Sequence, residues 1–204
     1  MATPVGSSCE WLPGTNDVRG SVAPYLDEAE LVVICRGGND LYAMVPSGDI
    51  SAEMIQRRIA DFPEQLDEIL NNIFEISDAI WKENPNVDVL YILYPNYARS
   101  SAWKDTGGAY SGMIEIGLEA VLKDIRKRVS GQGDMLLADS LAIMDKLEID
   151  DYLIDELHLN SGGHALYARM VLETLGVAGL DGPSLTGDRL YGLTEQTDRE
   201  GGER

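Results

Sequence analysis

Only two histidines occur in this chain, and one stands where its neighbours suit it to chemistry. His158 follows Asp155 by three residues, in a loop just before a helical segment. In an Asp-x-x-His loop the carboxylate can reach Nδ1 of the imidazole, fix its tautomer and leave Nε2 free as a general base. A lone histidine is more often structural, so the nearby acid is what sets His158 apart. His164, in the helix start Asn160-Ser161-Gly162-Gly163-His164, is expected to hydrogen-bond locally rather than react. The second feature is Gly37-Gly38-Asn39-Asp40, directly after the apolar run Leu31-Val32-Val33-Ile34-Cys35. Glycines at a strand end let a ligand approach the backbone closely. An asparagine amide held beside backbone N–H groups can stabilise a developing oxyanion. The same residues are also ordinary turn formers.

Alternating strands and helices must position these groups. Residues 1–20 are rich in Gly, Ser, Pro, Thr and Asn and read as a loop, and a short helix over about 20–28 leads into Leu31–Cys35. That run reads as a strand buried on both faces, with Cys35 a small buried residue and Cys9 left open. Two helices are expected next, over about 51–61 and 63–83, with Pro63 in the first turn of the second. A second strand spans Val87–Tyr94, and a polar loop over 97–108 carries Trp103. A helix over about 110–129, a short strand over 135–138 and a final helix over about 161–175 follow. The division is a loop over 1–20, one α/β domain over 21–176 and a polar tail over 177–204. Such units imply a parallel sheet whose ligands bind beyond the C-terminal strand ends. Gly37–Asp40 and Tyr94–Tyr97 fall at that edge, and Asp155–His158 joins them if the last loop returns over it.

Composition narrows the functional classes. Apolar residues are 44% and charged ones 25% of 204, a globular balance that excludes a disordered chain. Sixteen basic against 35 acidic residues leave a net charge of −19, which repels phosphate backbones and argues against nucleic acid as partner. No apolar run is long enough to span a bilayer, so no membrane insertion is expected. The N-terminus has neither a basic start nor an apolar core. It reads as no signal peptide, leaving a cytoplasmic chain unless it belongs to a longer exported protein. The two cysteines lack metal-ligand spacing.

Taken together, the Gly-x-Asn-Asp after an apolar strand and the late Asp-x-x-His before a helix resemble the SGNH (GDSL-type) hydrolase family. The resemblance runs from about Gly14 to Leu175 and includes the order of elements between. It implies a three-layer α/β/α fold with a flavodoxin-like parallel sheet, five strands in the order 2-1-3-4-5. It also implies a serine hydrolase of carboxylic esters or acetylated carbohydrates, needing neither a metal nor an organic cofactor, with His158 as base and Asp155 as the acid that orients it. Asn39 matches the oxyanion-hole asparagine. The family's second oxyanion donor, a glycine N–H, is best matched by Gly14 and less well by Gly20.

The family's Gly-Asp-Ser block, which carries the nucleophile at the tip of the first strand, is absent. Either the chain begins after that block, or Ser8 or Ser7 stands in for its serine. Without the first strand, Leu31–Cys35 presents an open apolar edge, which implies closure by residues 1–12, a homodimer or a larger parent protein. A catalytically inactive domain of the same fold, used for binding or assembly, is the rival reading.

Overall fold

Leu31–Ile34 (β1), Asp88–Leu93 (β2) and Met135–Asp139 (β3) form one parallel sheet in the order β1-β2-β3. The register pairs Val32 with Val89, and Val89 with Met135. The computed structural model describes residues 8–12, 22–44 and 51–176. The seven α-helices among them are Ala23–Leu26 (α1), Gly38–Met44 (α2), Ala52–Glu83 (α3), Ser101–Gly107 (α4), Ser111–Ser130 (α5), Ser140–Met144 (α6) and Ser161–Thr174 (α7). This is a mixed α/β domain with helices on both faces of a small parallel sheet.

Strand alternation decides which helix covers which face. Val89, Tyr91 and Leu93 point towards α3 and α5, where Ile69, Ile73, Leu122 and Ile125 complete the main core. Leu90 and Ile92 point the other way, onto Met170 of α7 and the half-buried Tyr167 and Val171 beside it. β2 is therefore buried on both faces, as its unbroken apolar run implies.

β1 departs from the reading of a strand buried on both faces. α7 packs over β2 and β3, so Val33, on that face of β1, remains 43% exposed. Cys35 lies just past the strand and is exposed rather than buried. Among the described residues β1 pairs only with β2, leaving its other edge without a strand.

Two helices expected on either side of Pro63 are one, α3. Ile55, Ile59, Phe62, Leu66, Ile69, Ile73, Ile76 and Ile80 recur at alternating spacings of four and three, an apolar stripe with no break at the proline. Pro63 itself is on the exposed side, where a backbone carbonyl lacking its helical partner can bond water. Packing of the continuous stripe outweighs the proline. Ser51 caps the start, its Oγ accepting from the Met54 N–H. Asn84 ends the helix and ties it to the α1 region, its amide donating to the carbonyls of Leu26 and Ala29.

The stretch 97–108, read as a loop, instead holds a 3-10 turn at Tyr97–Arg99 and then α4. Ser100 is the reason: its hydroxyl accepts from the Trp103 N–H and caps that helix. α6 was also not foreseen, and Asp139 caps it through the Ala142 N–H. The first helix is shorter than the expected 20–28. Residues 177–204, most of 1–20 and the glycines Gly14 and Gly20 lie outside the described residues, as does Ser7.

Candidate active site

The 153–159 segment is a closed loop. Leu153 and Leu159 form an antiparallel bridge, and the Ile154 N–H donates to the His158 carbonyl at 2.8 Å. Beneath it, Met144, Leu147, Ile149, Tyr152, Leu159 and Leu166 form a separate small core. Asn160 joins loop to helix, its Oδ1 accepting from the Gly163 N–H and its amide donating to the Asp151 carbonyl. The loop is thus held at both ends by apolar packing and capping.

Within it, Asp155 and His158 are paired as their spacing implies. Asp155 Oδ2 lies 2.8 Å from His158 Nδ1, and Oδ1 accepts the backbone N–H of His158 at 2.7 Å and of Leu157 at 2.9 Å. A carboxylate accepting at Nδ1 selects the tautomer with its proton there, which leaves the Nε2 lone pair outward. The His158 side chain is 75% exposed, and Asp155 is its only side-chain partner among the described residues. His164 hydrogen-bonds locally through its backbone, its N–H donating to the Asn160 carbonyl at 2.9 Å, and the residue is exposed.

The His158 N–H, then the Leu157 N–H and then the imidazole hold the Asp155 carboxyl down at about 2, against an ordinary 3.8. A depressed carboxyl stabilises the folded loop above its unfolded value and loses that contribution as pH falls through its folded one. Carboxyl NMR is expected to show Asp155 titrating near 2. The melting difference between wild type and Asp155→Asn should hold above pH about 4 and vanish towards pH 2. A midpoint near 4 would mean that the carboxylate is not held by these donors.

At the other motif, Gly37 has φ +93°, a backbone region that side chains strain to enter. This turn starts α2, so Asn39 stands in its first turn, exposed. Gly38 is required by space, because a Cβ there would sit 2.6 Å from the Tyr94 ring. Tyr91 donates its hydroxyl to the Arg36 carbonyl at 3.0 Å and pins the strand end.

One cavity of about 320 Å³ takes a wall residue from each motif, Gly38 and Leu157, while Asn39, Asp155 and His158 are not among its lining residues. Gly38 and Tyr42 line one side, Leu157 another, with Tyr94, Tyr97 and Trp103 between. Trp103 is the brace that sequence reading missed. Its Nε1 donates to the Glu156 carbonyl at 2.8 Å, and its ring meets Tyr42 edge-on at 5.5 Å. It thereby ties α2 to the Asp155–His158 loop. Burial pushes the Tyr97 hydroxyl up to about 12 and raises Tyr94 further, so both stay protonated donors at neutral pH.

Ser8 is drawn to this edge from far away in sequence. Fully buried at the head of the 3-10 turn Ser8–Trp11, it donates its N–H to Asp40 Oδ2 at 2.8 Å and its hydroxyl to Oδ1 at 3.2 Å. The Asn72 amide donates back to Ser8 Oγ at 3.0 Å. Ser8 is therefore beside the Gly37–Asp40 turn, with its hydroxyl engaged by Asp40 and Asn72 rather than by His158. The sequence signal for Asn72 was slight: a polar residue on the apolar face of α3.

Among the described residues no group of three His, Cys, Asp or Glu could hold a metal ion, and no helix is long and apolar enough to cross a membrane. Compared with protein-family models and with curated proteins, the chain matches none.

Proposed function

We propose that this chain is an SGNH-like serine hydrolase of carboxylic esters, including acetylated carbohydrates. The observation that carries the reading is the Asp155–His158 pair, with Nε2 unpartnered among the described residues, on a loop whose Leu157 shares a cavity with Gly38. In the proposed reaction a serine oxygen attacks the acyl carbon as His158 Nε2 takes its proton. Asp155 holds the resulting imidazolium, and Asn39 donates to the tetrahedral oxyanion. Collapse expels the alcohol, which receives the proton from His158, and water repeats the sequence to release the acid. Ser8 is the nucleophile this reading favours, since its partner Asp40 adjoins Asn39. Rotation about its χ1 would release the hydroxyl from Asp40.

The buried, doubly engaged Ser8 hydroxyl favours the rival reading, a non-catalytic domain of the same fold. A fluorophosphonate probe with p-nitrophenyl acetate as substrate separates the two. Hydrolysis, with one labelled serine that Ser8→Ala removes, supports the enzyme. Neither label nor turnover supports the binding domain.

Asn39→Ala is expected to cut kcat/KM by about 100-fold or more, the usual cost of an oxyanion donor. As an exposed position it should move Tm by only about 2 °C. Unchanged turnover with a large fall in Tm would make Asn39 a turn former only.

A further inference from the structure

A second cavity, an apolar groove of about 450 Å³, lies between α2, α3 and α5. Met44, Ile55, Ile59, Phe62, Met113 and Ile114 form much of its wall, and Ile59 and Met113 are about half exposed. Leu41 and Leu118 line both this groove and the cavity that Gly38 and Leu157 line, so two leucines are the partition between them.

One charged side chain joins the wall, Arg58, half-buried between the Ile55 and Phe62 turns of α3. The other six described arginines each face a carboxylate or, for Arg36, the Trp11 ring. Arg58 has no such partner among the described residues, in a chain with 35 acids to choose from. An unpaired guanidinium beside an apolar wall complements an anion carried on an apolar tail, because its stem packs while its fork binds oxygen. Three helices enclose the groove, which suits a single chain more than a flat bilayer surface. The net charge of −19 also opposes approach to an anionic membrane.

We propose that this groove binds a monomeric medium-chain fatty-acid-type carboxylate, its alkyl chain against α3 and α5 and its carboxylate on Arg58. The site is separate from the ester-hydrolase reading and stands or falls without it.

Calorimetric titration of the full chain with decanoate, below its micelle concentration, tests this, with decanol as the neutral arm. One decanoate should bind per chain, and Arg58→Gln should weaken it about tenfold while leaving decanol unchanged. Gly117→Leu is the blocked variant. A Cβ at 117 meets only Phe62 Cε2 at 3.6 Å, an ordinary contact, and leucine is the better helix former. It should fold at least as stably as wild type and lose both ligands. The proposal is overturned by no decanoate binding up to millimolar, by equal affinity in Arg58→Gln, or by undiminished binding in Gly117→Leu. Binding confined to anionic vesicles would overturn it as well.

Discussion

His158→Ala is expected to lower p-nitrophenyl acetate hydrolysis by about 10⁴-fold, with Tm nearly unchanged. The mutated ring is mostly exposed and, among the described residues, bonds only Asp155, so little packing is lost. The backbone N–H of residue 158 still donates to Asp155, so the loop retains its main tie. Asp155→Asn should approach the same loss by a different route. Its carboxamide can still accept the N–H groups of Leu157 and His158 through one oxygen. Its amide nitrogen then faces Nδ1 as a donor, which pushes the imidazole proton to Nε2 and removes the base. Measuring both variants with circular dichroism and steady-state kinetics separates catalysis from folding. Activity equal to wild type in His158→Ala would reduce the pair to a loop staple.

Gly163→Ala is expected to destabilise the protein by about 1–3 kcal/mol and lower Tm by about 5 °C. A Cβ at 163 would lie 2.5 Å from the Tyr152 carbonyl oxygen and 2.9 Å from Leu159 Cδ2. The leucine can turn away, but the carbonyl cannot, because it already accepts the Asn160 N–H at 2.9 Å. The start of α7 must move, and the Asn160 cap moves with it. Since Asn160 follows the Asp155–His158 loop directly, turnover should fall alongside stability. Gly162→Ala is the control: its nearest contacts are the Asn160 Oδ1 at 3.2 Å and the Tyr152 ring at 3.8 Å. It should shift Tm by no more than about 2 °C. Equal effects at 162 and 163 would show that helix propensity, not the Tyr152 carbonyl, sets the cost.

What could be read from sequence was local in origin. Asp155 and His158 are three residues apart, and a tight loop leaves their side chains little choice but to meet. Gly37 stands at φ +93°, and a glycine pair ending an apolar strand already signals such a turn. β2 was legible as a strand because every residue from Val89 to Leu93 is hydrophobic.

Tertiary structure decided what depends on distant partners. Whether β1 is covered follows from where α7 lands, not from the Val-rich run itself, so Val33 and Cys35 ended exposed. Pro63 punctuates sequence strongly, yet the apolar stripe of α3 binds both halves to one core and keeps the helix whole. Ser8 meets Asp40 across 32 residues and Asn72 across 64, while Trp103 reaches Glu156 across 53. No local pattern encodes such pairs, because each forms only once the sheet has brought separate loops to the same edge. The acid–histidine pair and the glycine turn were thus set by near neighbours in the chain, because their geometry is a matter of a few bonds. The cavity between them, its tryptophan brace and the place of Ser8 are consequences of packing, which acts between residues the chain holds far apart.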